Sequence, residues 1–240
     1  LMDKNEFNSE VLTKDEFLKV YNLYEEQKSK VNKIDFDDML IRTYYLLLNN
    51  KSALEMVRNV YKYILIDEFQ DINKVQFEVL KLICSPLNNI FAVGDEDQSI
   101  YGFRGARPDF LLEFEQYFNN TKKIILDINY RSKSEIVHTA NRLIDKNKNR
   151  YEKIIKCSQG DGGSVTYISP HDSEEEALYI AREIIDEIQK DYVEYSDFAV
   201  IYRTNIQSRA LVDVFMDMRI PFVVKDSVIT IYDHWEIGRA

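Results

Sequence analysis

Apolar positions in this chain fall first at helical and then at strand spacing. Phe17, Val20, Tyr21 and Tyr24 share one helical face behind Thr13-x-x-Glu16, a capping-box pattern. A second helix is predicted to start near Asp35, in Asp35-Phe-Asp-Asp-Met-Leu-Ile41, and to run to Leu48, where Asn49-Asn50 ends it. A third covers about Ser52 to Val60. The pattern then changes. Tyr63–Ile66 is an unbroken apolar run, the length of a strand buried on both faces. A helix from about Asn73 to Cys84, closed by Pro86, leads to a strand at Ile90–Val93. Pro108 suits the first turn of a helix reaching Phe118, and Ile124–Leu126 reads as another strand.

The second half continues the alternation. Ser132-x-x-Glu135 is predicted to cap a helix with Ile136, Ala140, Leu143 and Ile144 on one side. Lys146 to Arg150 and Gly160 to Gly163 read as loops. Val165–Ile168, Phe198–Tyr202 and Pro221–Val224 are predicted strands. Ala177, Ile180, Ala181, Ile184, Ile185 and Ile188 make a clean helical stripe; a further helix covers Ser208 to about Met218, and one begins near Trp235. Strands alternating with helices argue for an α/β fold, with parallel sheets flanked by helices.

Composition narrows this only a little. The 240 residues have room for one large domain or two small ones, and 45% hydrophobic with 30% charged content is that of an ordinary globular protein. No apolar run approaches the roughly 20 residues of a membrane span, and the N-terminus lacks the regions of a signal peptide. The expectation is a cytoplasmic protein with no membrane partner. Cys84 and Cys157, and His138, His171 and His234, are scattered without metal-ligand or disulfide spacing. The net charge of −10 sits awkwardly with a phosphate-tracking surface, so any nucleic-acid contact would need a local basic groove.

Candidate chemistry begins at Lys62-Tyr-Ile-Leu-Ile-Asp-Glu-Phe-Gln-Asp71, where the apolar strand stops abruptly at Asp67 and Glu68. Ligands of open α/β sheets bind just beyond the carboxyl ends of strands. An acid pair there suits phosphoryl transfer, with Asp67 holding Mg²⁺ and Glu68 orienting and deprotonating the attacking water. A polar strand end running into a helix cap would give the same letters.

Two further strings follow in order: Gly94-Asp-Glu-Asp-Gln-Ser-Ile-Tyr-Gly-Phe-Arg-Gly-Ala106 and Asn129-Tyr-Arg-Ser132. Together the three closely resemble the UvrD/PcrA/Rep-type superfamily-one DNA helicases, and the resemblance covers nearly the whole chain. It implies parts of two RecA-like motor lobes of the P-loop NTPase kind. Residues 1–128 would belong to the first lobe, with 1–30 the tail of its helical insertion, and 129–240 would open the second. Asp67 and Glu68 then match the Mg²⁺ partner and the water-activating base. Gln98 matches the glutamine that senses the γ-phosphate, Arg131 the arginine that reaches that phosphate, and Tyr130 the tyrosine that stacks on adenine. Asp35-Phe36-Asp37-Asp38 also resembles a family segment, although an acidic helix N-terminus favoured by the dipole is the reading preferred for it.

Tyr101, Phe103 and Arg104, with Gly102 and Gly105 between and beside them, form a stacking platform for unpaired bases in this reading. Phe103 stands where better-known members carry tryptophan. Tyr202-Arg-Thr-Asn-Ile-Gln-Ser-Arg209 resembles a string that touches the DNA backbone through the positions of Arg203 and Asn205. Each assignment has a plain counterpart: Gln98 stabilising a loop, Tyr130 or Phe103 in a core, Arg131 in a surface ion pair, Asn205 in a turn.

One departure is large. None of the seven glycines opens a Gly-x-x-x-x-Gly-Lys-Ser/Thr phosphate loop. The resemblance therefore implies the central portion of an ATP- and Mg²⁺-dependent DNA translocase, moving 3′ to 5′ on single-stranded DNA and at duplex junctions, and inactive as this chain alone. The alternatives are a non-catalytic nucleic-acid or protein-binding module derived from a helicase, and the helicase half of a helicase-nuclease.

Overall fold

Thr13, Asp35 and Asn50 each open a helix by accepting a hydrogen bond from a backbone N–H three residues on. The helices are α1 (Lys14–Lys30), α2 (Phe36–Asn49) and α3 (Lys51–Val60). At Thr13 and Asp35 the bond is reciprocated, as Glu16 and Asp38 accept from the cap's own N–H. The computed structural model describes residues 11–190 and 192–225, which fall into two compact units divided after Ser164. In the first unit, α2 packs against α3 and a fourth helix, α4 (Lys74–Cys84), and the Arg58 guanidinium donates to the Leu82 carbonyl at 2.6 Å. The α1 face carrying Val20, Tyr21 and Tyr24 stays exposed. What ties α1 to α2 is charge: Lys28 pairs with Asp35 at 2.9 Å and Asp38 at 2.8 Å, as well as with Glu25.

β1 (Ile64–Ile66), α4 and β2 (Ile90–Ala92) form a β-α-β unit, its strands parallel with Ile64 opposite Ile90 and Ile66 opposite Ala92. Those four side chains pack onto a buried cluster of Phe69, Ile72, Phe77, Cys84, Phe110 and Phe118. Phe77 is its centre, stacked on Phe110 at 4.0 Å and edge-on to Phe69, Tyr117 and Phe118. Each phenylalanine buried here contributes about 1.5–3 kcal/mol, enough to hold strand face to helices. Burial pushes the Cys84 thiol up to about 11.

The expected strand buried on both faces is corrected. Leu65 is 74% and Phe91 60% exposed, and neither strand has a second partner among the described residues. The alternating chain covers one face of a two-stranded sheet and leaves the other bare. The helix expected from Pro108 to Phe118 breaks at Glu113 into α5 (Asp109–Leu112) and α6 (Phe114–Tyr117).

A second β-α-β unit follows: β3 (Ile128–Asn129), α7 (Ser134–Ile144) and β4 (Lys156–Cys157), with the strands parallel. Ile124–Leu126 is exposed and not a strand, because β4 offers ladder partners only from Asp127 to Asn129. Ser132 does not cap α7. Its N–H is taken by the Asn129 side chain, the residue before the helix is Lys133, and Glu135 accepts from the Gly162 N–H. The predicted stripe is also corrected: Ile136 and Leu143 are exposed, and Val137 is the buried apolar position.

The second unit is built on α8 (Ser173–Ile188) and α9 (Ser208–Asp217). Asp172 caps α8, accepting from Glu174 and Glu175 N–H, and three glutamates occupy the first turn, where the helix dipole favours them. Ala177, Ala181 and Ile184 of the stripe meet Val214, Phe215 and Ile220 in the core. Val165–Ile168, Phe198–Tyr202 and Pro221–Val224 are not strands. Phe198, Val200 and Phe222 pack on that core without ladder pairing. The helix expected near Trp235 lies outside the described residues. Among the described residues no helix is long and apolar enough to cross a membrane.

Candidate functional site

The site starts where β1 ends. Asp67 Oδ1 accepts from the Glu68 N–H at 2.9 Å, and Glu68 takes a left-handed backbone with φ 51° and ψ 44°. Such a conformation costs a non-glycine residue about 1–2 kcal/mol and turns the chain sharply. Both carboxylates are exposed, directly before Phe69, which is fully buried. The pair does not cap α4, which Asn73 opens; Glu68 stands at the N-terminal end of the short helical turn Phe69–Asp71 without a capping bond from its side chain.

Gln70, 1% exposed, is bonded in both directions. Its Nε2 donates to Glu68 Oε2 at 2.7 Å, and its Oε1 accepts from the Asp95 N–H at 3.0 Å. Gly94, at the end of β2, is needed for that approach. A Cβ there would lie 2.7 Å from Gln70 Oε1 and 3.2 Å from the Phe69 nitrogen. Asp95 opens the turn Glu96–Gln98, and its Oδ2 accepts from Gln98 Nε2 at 2.7 Å. Glu68 and Gln98, in the segments that follow two neighbouring parallel strands, are thus connected through Gln70 and Asp95.

Asp95, Glu96 and Asp97 bring carboxylate oxygens within 4.8 Å of one another, close enough to suggest a metal. Two side chains compensate them instead. Lys153 Nζ lies 2.6 Å from Asp95, 3.0 Å from Glu96 and 3.4 Å from Asp97, and Arg150 grips Asp97 with a fork of bonds at 2.8–3.1 Å. Burial alone would raise the Asp95 pKa. Bonds from Lys153 and Gln98 outweigh it and hold the carboxyl below its ordinary value. Burial would likewise lower Lys153, and bonds to Asp95 and Glu96 keep it raised. Sequence reasoning treated Lys146–Arg150 as loop and missed this clamp. Only the basic residues following an Asn-rich run could have hinted at it.

Asn129 Oδ1 accepts from the N–H groups of both Arg131 and Ser132, at 2.9 and 2.8 Å. This side-chain turn presents Tyr130 and Arg131 to solvent, so Tyr130 is not a core residue. Tyr101 and Phe103 are 6.0 Å apart and the Arg104 guanidinium lies within 5.5 Å of both rings. The base of that loop is fixed by Gly105 at φ 83° and by buried Ala106, bridged to Asn73. Phe103 is 80% exposed, which excludes core packing. In the second unit, Gln207 Oε1 accepts from the N–H groups of Arg203 and Thr204, both at 3.0 Å, and the Ser208 hydroxyl donates to the Asn205 carbonyl. Arg203 and Asn205 are exposed in this turn of the second unit.

Comparison with known proteins adds a family. Residues 2–119 match the UvrD/REP helicase N-terminal domain and residues 124–240 the UvrD-like helicase C-terminal domain. The chain is 40% identical over 229 residues to the YjcD protein of Bacillus subtilis (strain 168), covering 94% of this chain and 30% of that protein. It is 36% identical over 222 residues to the ATP-dependent DNA helicase PcrA of Staphylococcus epidermidis, covering 92% and 30%. With PcrA of Staphylococcus aureus (strain Mu50) the identity is 38% over 205 residues, covering 85% and 28%. The chain therefore spans about 30% of the length of the curated relatives it matches. With both domains of one helicase matched in order over nearly its whole length, the chain belongs to the UvrD/REP helicase family.

Proposed function

We propose that this chain carries the ATP-hydrolysing and DNA-handling middle of a motor that moves along single-stranded DNA, within parts of two RecA-like lobes joined near residue 128. The observation that supports it most is the connection of Glu68 to Gln98 through the segments that follow two adjacent parallel strands. Asp67 is exposed at the strand end and fits a hard cation through carboxylate oxygen. Mg²⁺ held there would neutralise charge on the phosphate oxygens. Glu68 takes the proton of the attacking water, and Gln98, with an amide that both donates and accepts, registers the γ-phosphate. Arg131 places a permanent planar cation toward the same phosphate, and Tyr130 offers its exposed ring to adenine. Tyr101, Phe103 and Arg104 stack unpaired bases, while Arg203 and Asn205 hold the backbone. The phosphate-cradling loop is not among these 240 residues, so this chain alone is expected to hold ATP weakly and to show no DNA-stimulated turnover.

The test is a chimera in which residues 1–240 replace the aligned segment of a PcrA relative. DNA-stimulated ATP hydrolysis is expected, and Glu68→Gln should lower it about a hundredfold or more while nucleotide binding persists. Hydrolysis by Glu68→Gln at the unaltered rate would remove Glu68 from the mechanism. A folded chimera that binds DNA yet never hydrolyses ATP would favour the second reading, a non-catalytic binding module.

A further inference from the structure

Gln70 has no part in the proposed chemistry, yet it is the most completely enclosed polar side chain beside it. One end of its amide donates to Glu68 and the other accepts from Asp95, whose carboxylate in turn holds Gln98. Its own carbonyl accepts from the Ser99 hydroxyl at 3.4 Å, so a third bond reaches the same turn. Gly94 leaves the space, since any Cβ there would collide with Gln70 Oε1. Phe69, the preceding residue, is locked in the aromatic core and fixes the backbone from which Gln70 reaches out.

We infer that Gln70 is a positioning residue that joins the Glu68 carboxylate to the Asp95–Gln98 turn, so that base and phosphate sensor are set as one unit. A primary amide suits this task because it donates at one end and accepts at the other. A displacement of the turn is passed to Glu68 through a single rigid, solvent-excluded group, and a shift of about 1 Å at a reacting group costs roughly a hundredfold in rate. The inference rests on the functional reading above for the roles of Glu68 and Gln98, though the physical link stands apart from it.

Two variants separate the two ends. Gln70→Leu removes both bonds. Gln70→Glu keeps the volume and the acceptor for Asp95 N–H, but sets a carboxylate against Glu68. In the 240-residue chain, with folding checked by circular dichroism, amide hydrogen exchange at Asp95 should be about tenfold faster in Gln70→Leu and unchanged in Gln70→Glu. In the chimera both variants should lose about a hundredfold in kcat with KM for ATP little altered. Should the leucine variant not fold, Gln70→Glu carries the test through its kcat. Unaltered exchange at Asp95 in a folded Gln70→Leu, or unaltered kcat in Gln70→Glu, overturns the inference. An unaltered chimera without hydrolysis, or an active Glu68→Gln chimera, would strike the functional reading instead, and the exchange measurement would still decide the link.

Discussion

Phe103 is exposed on a loop whose base is pinned, which is the arrangement of a ring kept free to meet something flat. Stacking of a base on an aromatic is worth about 1–3 kcal/mol, so Phe103→Ala in the chimera should weaken single-strand affinity roughly ten- to hundredfold. Phe103→Trp should hold or improve it. Neither change should alter the melting temperature much, because the ring buries little; a large loss of stability with unchanged affinity would take Phe103 out of the DNA site. At this scale the sequence was readable where a residue breaks a pattern. Asp67 and Glu68 interrupt an apolar run, and Phe103 and Arg104 sit between glycines. Gln70, Arg150 and Lys153 were not readable, since their bonds to the Asp95–Asp97 turn span 25 to 58 positions and nothing periodic marks them.

The elements show what local rules can carry. Thr13, Asp35 and Asn73 each start a helix through a reciprocal cap, a signal that lies within four residues. Ser132 has a similar pattern without the cap: its N–H is bonded to Asn129, and Glu135 accepts from the Gly162 N–H rather than from Ser132. The predicted strands at Val165, Phe198 and Pro221 failed for the complementary reason: apolar residues were recognised, but ladder pairing depends on a partner elsewhere. Between α1 and α2 the chain relies on charge, and this gives a pH dependence. Hydrogen bonds from Lys28 and from the Asp38 N–H lower the Asp35 carboxyl to about 2 in the folded chain, against about 3.9 unfolded. Over that interval the unfolded form binds more protons. The contribution is complete above about 4 and is withdrawn as pH falls toward 2. Far-ultraviolet circular dichroism of the chain should show acid-induced helix loss in that window, and Lys28→Met should move its onset to higher pH. An acid transition unmoved by Lys28→Met would mean that the ion pairs do not tie α1 down.

For the molecule as a whole, the two compact units part after Ser164, whereas the matches to the two family domains meet between residues 119 and 124. The β3–α7–β4 segment thus packs with the first unit while aligning with the second domain, and Arg150 and Lys153 supply ion pairs that hold it there. No composition shift marks either position; only the resemblance of the strings around Asn129 suggested a division, near residue 128. With a net charge of −10, the DNA contacts proposed above would have to lie on a local basic surface. Arg203→Ala in the chimera should therefore lower affinity and flatten its salt dependence by about one counterion, equally for every DNA sequence; an unchanged slope would show that Arg203 does not meet phosphate. The bare face of the β1–β2 sheet has a consequence in the test tube. Leu65 and Phe91, side by side and exposed on strands that have no second partner among the described residues, make an apolar surface whose self-association the repulsion between like-charged molecules opposes. Added salt screens that repulsion, so concentrated solutions of the chain should scatter more light as ionic strength rises, and Leu65→Lys should clear them.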